Sequence, residues 1–430
     1  MSTSKTKKGS DPEYYTSRFG VMAGYLPTHR KHLDAWLERL QRHIAEEKAA
    51  QKTVPLQPTV QALADLLETD GIVRMYVTEM INEVPLKNRK IGNTTELLEA
   101  LNYIIQRAPE FDCEHSVAFP MSALFTYMMF TPAGEAAFRN AAFNAAIRNI
   151  LKAWCHYLDS PASRNVLNTG EHGWLSPCAC EKNDLAVFII PDKNAPHWGF
   201  TSYNAYFHRE INLLYRPIQG LNDSKVIVSA NDGTVYNIQR NVKKTDTFWI
   251  KSQPYSLSDM LDNSVFTDRF VGGDVFQAFL SGANYHRFRS PVSGTVREAR
   301  VVDGLMFSEL HSEGFDEDAG IKSQGFEASV NTRGLVFIES DDPAVGMVCV
   351  MPIGITEISS VAFRKEIVPQ GGKYAHVKKG EELGWFSYGG STLCVVFQPG
   401  VIREFRTQGA ASPLKIGDTI DVNEQIALAY

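Results

Sequence analysis

The chain has 430 residues, 44% of them hydrophobic and 21% charged, with a formal net charge of −6 at pH 7. That length predicts two domains, or one with a large appendage, and that composition describes a soluble chain able to bury a sizeable core. The mild acidity argues against a nucleic-acid binder that works by phosphate neutralisation, and no run approaches the ~18 apolar residues of a membrane helix.

The beginning of the sequence lacks both an apolar signal core and an Arg-rich presequence, so the cytosol is the expected location. Six cysteines (Cys113, Cys155, Cys178, Cys180, Cys349 and Cys394) are too sparse for a disulfide scaffold and are read as reduced thiols. Cys178-Ala179-Cys180 near His172 lacks the second ligand pair of a structural zinc site, so no metal is expected.

Residues 1–30 open with a polar Ser/Thr/Lys run and read as a mobile tail. From His32 the period turns helical: Leu33, Trp36, Leu37, Leu40 and Ile44 recur at 3–4 spacing with charges on the other face. Residues 59–67 and 73–81 continue the pattern. Asn93 with Glu96 three places on reads as a capping arrangement opening a helix through Ile105. Helices over 121–130 and 135–158, punctuated by Pro132-Ala133-Gly134, complete a helical domain over 31–160 whose apolar stripes are core. Residues 161–192 are polar and dotted with Gly and Pro, and read as a crossover.

An aromatic-rich run follows: Pro196-His197-Trp198-Gly199-Phe200, then Tyr203, Tyr206, Phe207, His208 and Arg209. From Lys225 onward short β-rich runs (226–229, 234–238, 295–302, 334–339, 345–353 and 355–361) are separated by Gly, Asp and Asn signals. This is an all-β texture, so the fold class is α+β: a helical N-terminal domain, then a mainly antiparallel core over 193–430. No dinucleotide fingerprint, P-loop or G-x-S-x-G elbow is present.

Four stretches of the β region stand out. They are Asn231-Asp232-Gly233, the block Tyr285-His286-Arg287-Phe288-Arg289-Ser290-Pro291-Val292-Ser293-Gly294, the turn Lys379-Gly380-Glu381-Glu382-Leu383-Gly384, and Gly389-Gly390-Ser391-Thr392. Each alone has a plain reading: Asp-Gly and Gly-Ser are common turns, and a histidine before arginine is usually a hydrogen-bonded structural residue. Their order and spacing together resemble the phosphatidylserine decarboxylase family of pyruvoyl enzymes. Ser163–Leu167, Gly173–Leu175, Lys193–Phe200 and Gly354–Ser359 resemble its soluble fungal branch, whose members act on free amino acids or have unassigned substrates.

The resemblance implies self-cleavage at Gly390–Ser391. The Ser391 hydroxyl attacks the Gly390 carbonyl, elimination from the resulting ester follows, and hydrolysis leaves a pyruvoyl group at residue 391. That carbonyl takes up a substrate amine as a Schiff base and accepts the electrons released when CO2 departs. The resemblance assigns Asp232 as the acid of a processing triad, Ser391 as its nucleophile and His286 as the proton donor to the substrate α-carbon. The two fragments are expected to stay associated. A small-molecule amino-acid substrate, with an aromatic one such as tryptophan the first candidate, is implied, and phosphatidylserine is the alternative.

The triad histidine belongs at position 289, where this chain has arginine, and a guanidinium cannot act as general base. Three outcomes stay open: another histidine such as His286 takes the proton, Arg289 stabilises the oxyanion during slow processing, or the chain stays unprocessed and binds a ligand without chemistry.

Overall fold

Leu33, Leu37 and Leu40 form a stripe that only a helix can bury on one side, and the helix Arg30–Ala49 buries all three. In a computed structural model of the chain, the described residues are 30–50, 54–113, 117–246, 255–282, 284–309, 319–357 and 360–430. The tail expected over 1–30 lies outside them except for Arg30, which is buried and already helical. Asp70 starts the helix Gly71–Glu83 by accepting from Ile72 and Val73 N–H. Asn93 starts Thr94–Ile104 by accepting from Glu96 N–H at 2.9 Å, while the Glu96 carboxylate reaches back to Gly92 N–H at 2.8 Å. Both satisfy donors that a helix start leaves open.

Two helical expectations need correction. The stretch 121–130 is helical only over Pro120–Phe125 and continues as turns. The stretch 135–158 is two helices, Pro132–Arg139 and Ala141–Asp159. Pro132 does not break a helix but occupies its first turn, where the missing N–H costs nothing, and Thr131 caps it. The break falls at Asn140, whose backbone is extended and whose side chain accepts from Ala142 and Phe143 N–H. Beyond it Phe143, Ile147, Ile150, Leu151, Trp154 and Leu158 are buried on one face. Burial of each such side chain is worth about 1.5–3 kcal/mol.

The reading of all six cysteines as reduced thiols is also corrected. Cys113 and Cys178 form a disulfide across 65 residues of sequence, with Cα atoms 6.0 Å apart. Phe111 N–H donates to His172 O and the Trp174 indole N–H to Pro109 O, which lays the two segments side by side. Linear spacing does not reveal such a pairing. Cys155, Cys349 and Cys394 are buried thiols, and Cys180 is half-buried.

The strands of the second region are β1 (Val226–Val228), β2 (Gly233–Gln239), β3 (Asp274–Leu280), β4 (Arg287–Arg289), β5 (Gly294–Val302), β6 (Arg333–Ser340) and β7 (Met347–Gly354). They continue as β8 (Val361–Phe363), β9 (His376–Val377), β10 (Glu382–Phe386), β11 (Ser391–Phe397), β12 (Ile402–Phe405), β13 (Thr419–Ile420) and β14 (Gln425–Ala429). All pair antiparallel, so the molecule is α+β. The main sheet has the order β13-β2-β3-β11-β7-β6-β5-β9, with small sheets β4-β10-β8 and β1-β14-β12. The strand expected over 355–361 does not form: Ile355 to Glu357 leave β7 as a bend, with Thr356 at φ 35°, and Ile358 and Ser359 lie outside the described residues.

β11 is central and fully buried, and its side chains alternate between two cores. Leu393, Val395 and Phe397 join the core shared with the helical region. Cys394 and Val396 join the other, together with Ala328 of the helix Ala319–Val330. That helix went unforeseen because buried Ser323, Gln324, Glu327 and Ser329 interrupt its apolar period. Among the described residues no helix is long and apolar enough to cross a membrane.

Candidate active site at the Gly390–Ser391 turn

The turn that feeds β10 is built before the site is. Gly380 adopts φ 75°, a left-handed conformation open to glycine, and a Cβ there would meet Ile218 at 2.5 Å. Lys379 is buried and its ammonium donates to the Gly220 and Asp223 carbonyls at 2.7 and 2.6 Å. Glu382 pairs with Arg287 of β4 at 2.9 Å. The Lys379–Gly384 block is thus scaffolding: it fixes β10, and β10 delivers the chain to residues 387–390.

At the end of that loop Gly389 has φ 144° and Ser391 enters β11, fully buried. Ser391 lies opposite Leu280 of β3 and Gly354 of β7. The Gly390 carbonyl, which cleavage would attack, accepts a hydrogen bond from Ile355 N–H at 3.0 Å. A Cβ on residue 390 would sit 3.1 Å from Thr356 Oγ1 and 3.2 Å from Ile355 Cγ1. Close packing by the 355–356 bend therefore favours glycine here.

Tyr388 anchors the loop. Its N–H donates to Asn204 Oδ1 at 3.2 Å and its hydroxyl donates to Ala118 O. Its ring stacks on Phe119 and meets Trp154, Tyr203 and Phe207 edge-on. The aromatic run at 203–207 is thus mostly packing between the helical region and this loop. Phe207 does more, since its ring also lies 4.0 Å, centroid to centroid, from that of His286.

His286 is fully buried, and neither ring nitrogen has a hydrogen-bond partner among the described residues. Burial, reinforced by nearby Arg209, pushes its pKa down to about 3, so the imidazole is neutral. Its carbonyl accepts from Phe386 N–H at 2.8 Å, tying it to the end of β10. His208 stands nearby, its pKa pushed down to about 4 by burial and then Arg287.

Asp232 and Arg289 do not meet as a triad pair. The Asp232 carboxylate accepts from Val422 N–H at 2.7 Å and from Arg216 Nε and Nη2 at 3.3 Å each. The Arg289 guanidinium donates to the Tyr285 hydroxyl at 3.2 and 3.1 Å and to the Gly380 carbonyl at 2.8 Å. The backbone links the two segments, Arg289 N–H to Ala230 O at 2.8 Å. β3 lies between β2, which Asp232 precedes, and β11, which Ser391 opens. Two strand spacings are about 10 Å, so a bridging group is needed between acid and serine. Arg209, Arg216, Tyr285, Glu357 and Tyr388 escaped assignment from sequence, because nothing in their spacing separates them from packing residues.

The arrangement offers a buried hydroxyl beside a constrained glycine carbonyl that already has one N–H donor, and a neutral imidazole with open nitrogens. Comparison with known proteins gives the class of such a site. Profiles described as phosphatidylserine decarboxylase match residues 57–183 and 203–427. The chain belongs to the phosphatidylserine decarboxylase family, and as such is a decarboxylase. Among its relatives, the decarboxylase iboD of Amanita muscaria is 35% identical over 327 residues, 70% of this chain and 92% of that protein. The L-tryptophan decarboxylase of Psilocybe cubensis is 30% identical over 396 residues, 86% of each chain. The phosphatidylserine decarboxylase proenzyme of Chlamydia pneumoniae is 29% identical over 238 residues, 54% of this chain and 73% of that protein.

Proposed function

We propose that this chain cleaves itself between Gly390 and Ser391 and then removes CO2 from a free amino acid, an aromatic one such as tryptophan being the first candidate. The observation that carries the reading is the Gly390 carbonyl held by Ile355 N–H beside fully buried Ser391. That N–H is an oxyanion donor already in place for attack by the serine hydroxyl. The pyruvoyl group so generated at residue 391 would supply an electron sink for decarboxylation.

The remaining roles fall to the chain's own groups. His286 is neutral in its buried setting. A substrate carboxylate beside it would raise its pKa and let it hold the proton that ends on the substrate α-carbon. Phe207 fixes the plane of that imidazole. Asp232, oriented by Arg216, is the acid of the processing machinery. β11 is paired on both sides, by β3 and β7, which supports fragments that stay together after cleavage.

The helical region 31–160, the crossover 161–192 and the core 193–430 are the proposed divisions. A free amino acid is favoured over a lipid because relatives named for tryptophan decarboxylation share the helical half, whereas the chlamydial phosphatidylserine decarboxylase aligns with about half of the chain. A cytosolic role in secondary metabolism completes the proposal. One observation stands against the location, the Cys113–Cys178 disulfide, since such bonds are rare in the cytosol, and cell fractionation decides it.

Mass analysis of the purified protein tests the reading. Two fragments, one ending at Gly390 and one beginning at an amine-less residue 391, are expected, with CO2 release from tryptophan. A single intact chain would overturn it. Arg289, tied to Tyr285 and Gly380, favours that second reading: an unprocessed protein that binds a ligand in the same place.

A further inference from the structure

One buried acid near the turn has no part in the scheme above. Glu357 is fully buried in the bend that follows β7, two residues beyond the Ile355 N–H that holds the Gly390 carbonyl. Its Oε2 accepts from Ser122 N–H in the helical region. The Tyr388 hydroxyl faces the same carboxyl. Between them Thr356, a β-branched residue, is held at φ 35°, which its side chain resists. Such a bend persists only when its surroundings hold it, and Glu357 is its anchor on the helical side.

We propose that Glu357 is a positioning residue for chain cleavage: bound to Ser122 and facing Tyr388, it clamps the Ile355–Glu357 bend onto the Gly390 carbonyl, so that cleavage waits for the helical region to be seated. The inference rests on the proposed self-cleavage. It gives the helical region a role beyond packing, because a carboxyl that lost Ser122 would have no reason to remain buried and the bend would lose its anchor. Burial pushes the Glu357 pKa up to about 8, so the clamp works in its uncharged form. The groups facing it are Ser122, Tyr388 and Tyr203, with Arg209 behind Tyr203. Ionisation would place a charge among two tyrosines and loosen the bend.

The test follows cleavage of newly made full-length chain by gel over time, from pH 6 to about pH 9, a window that brackets the Glu357 pKa of about 8. Glu357→Leu, which removes the acceptor, is expected to slow cleavage roughly tenfold to a hundredfold. Glu357→Gln, which keeps an acceptor for Ser122 N–H, should restore most of the rate. The ratio of natural to Gln rates should fall as pH rises past about 8. Tyr388→Phe, which leaves the ring packing in place, should also slow cleavage. A Leu variant that cleaves at the natural rate overturns the proposal, as does a natural-to-Gln ratio that is flat with pH. If the natural chain stays whole, self-cleavage fails separately and the clamp is read by amide hydrogen exchange. Glu357→Leu must then speed exchange across 386–393 while leaving β1 and β14 protected, and unchanged exchange overturns the clamp.

Discussion

Arg289 is the side chain on which the proposed maturation turns. Its guanidinium is committed to the Tyr285 hydroxyl and the Gly380 carbonyl, so it neither reaches for a proton nor pairs with Asp232. Arg289→His is expected to speed cleavage roughly a hundredfold, the usual worth of a placed general base, in a time course on newly made chain. Arg289→Ala strands a buried hydroxyl and carbonyl and should lower unfolding stability by about 1–3 kcal/mol in urea titrations.

The buried acids and His286 set opposite pH limits. The His286 pKa is depressed to about 3 from 6.5, so its contribution to stability is full above pH 6.5 and is lost as pH falls through the folded value. Glu357 is raised to about 8 from 4.5, so its contribution is full below 4.5 and is lost as pH rises through about 8. Glu309 and Glu327, which are buried and face each other, are raised by burial and act in the same alkaline direction. Urea midpoints against pH should therefore fall at both ends, with Glu357→Gln flattening the alkaline limb and His286→Asn the acid one.

Helices announced themselves where capping and period agreed, as at Asn93-Glu96 and Leu33-Leu37-Leu40. They were misread where one residue type serves two ends. Pro132 stands in a first turn yet reads as a stop, and Asn140 makes the true break. Asn140→Ala should cost about 1 kcal/mol, and Phe143→Ala one turn later about 3–5 kcal/mol, both measured by chemical denaturation. Polar burial hid the helix Ala319–Val330, and the 355–357 bend looked like strand because Ile and Thr favour strands. Ser391, Gly390, Asp232 and His286 were legible only as members of an ordered set of motifs. Their true partners, Ile355, Arg216 and Phe207, come from other elements and leave no mark in linear spacing.

Across the molecule, the segment that cleavage would release, 391–430, supplies β11 at the centre of the main sheet, β13 at its edge and two strands of a small sheet. Cleaved protein should therefore elute as one species in gel filtration and separate only in denaturant. The Cys113–Cys178 bond closes a 65-residue loop that ties the helical region to the crossover. Chain-entropy reasoning gives such a bond about 4 kcal/mol, so a reductant should lower the melting temperature measurably.

A freshly made chain end ordinarily frays, because nothing holds its first residues. Here the new end would start inside a ladder, with neighbours at Leu280 on one side and Gly354 on the other. The reactive terminus would be among the least mobile points of the fold, so the substrate must do the travelling. Changes in β3 or β7 that merely slacken this mount, without touching substrate, should then show as lost turnover at unaltered substrate binding.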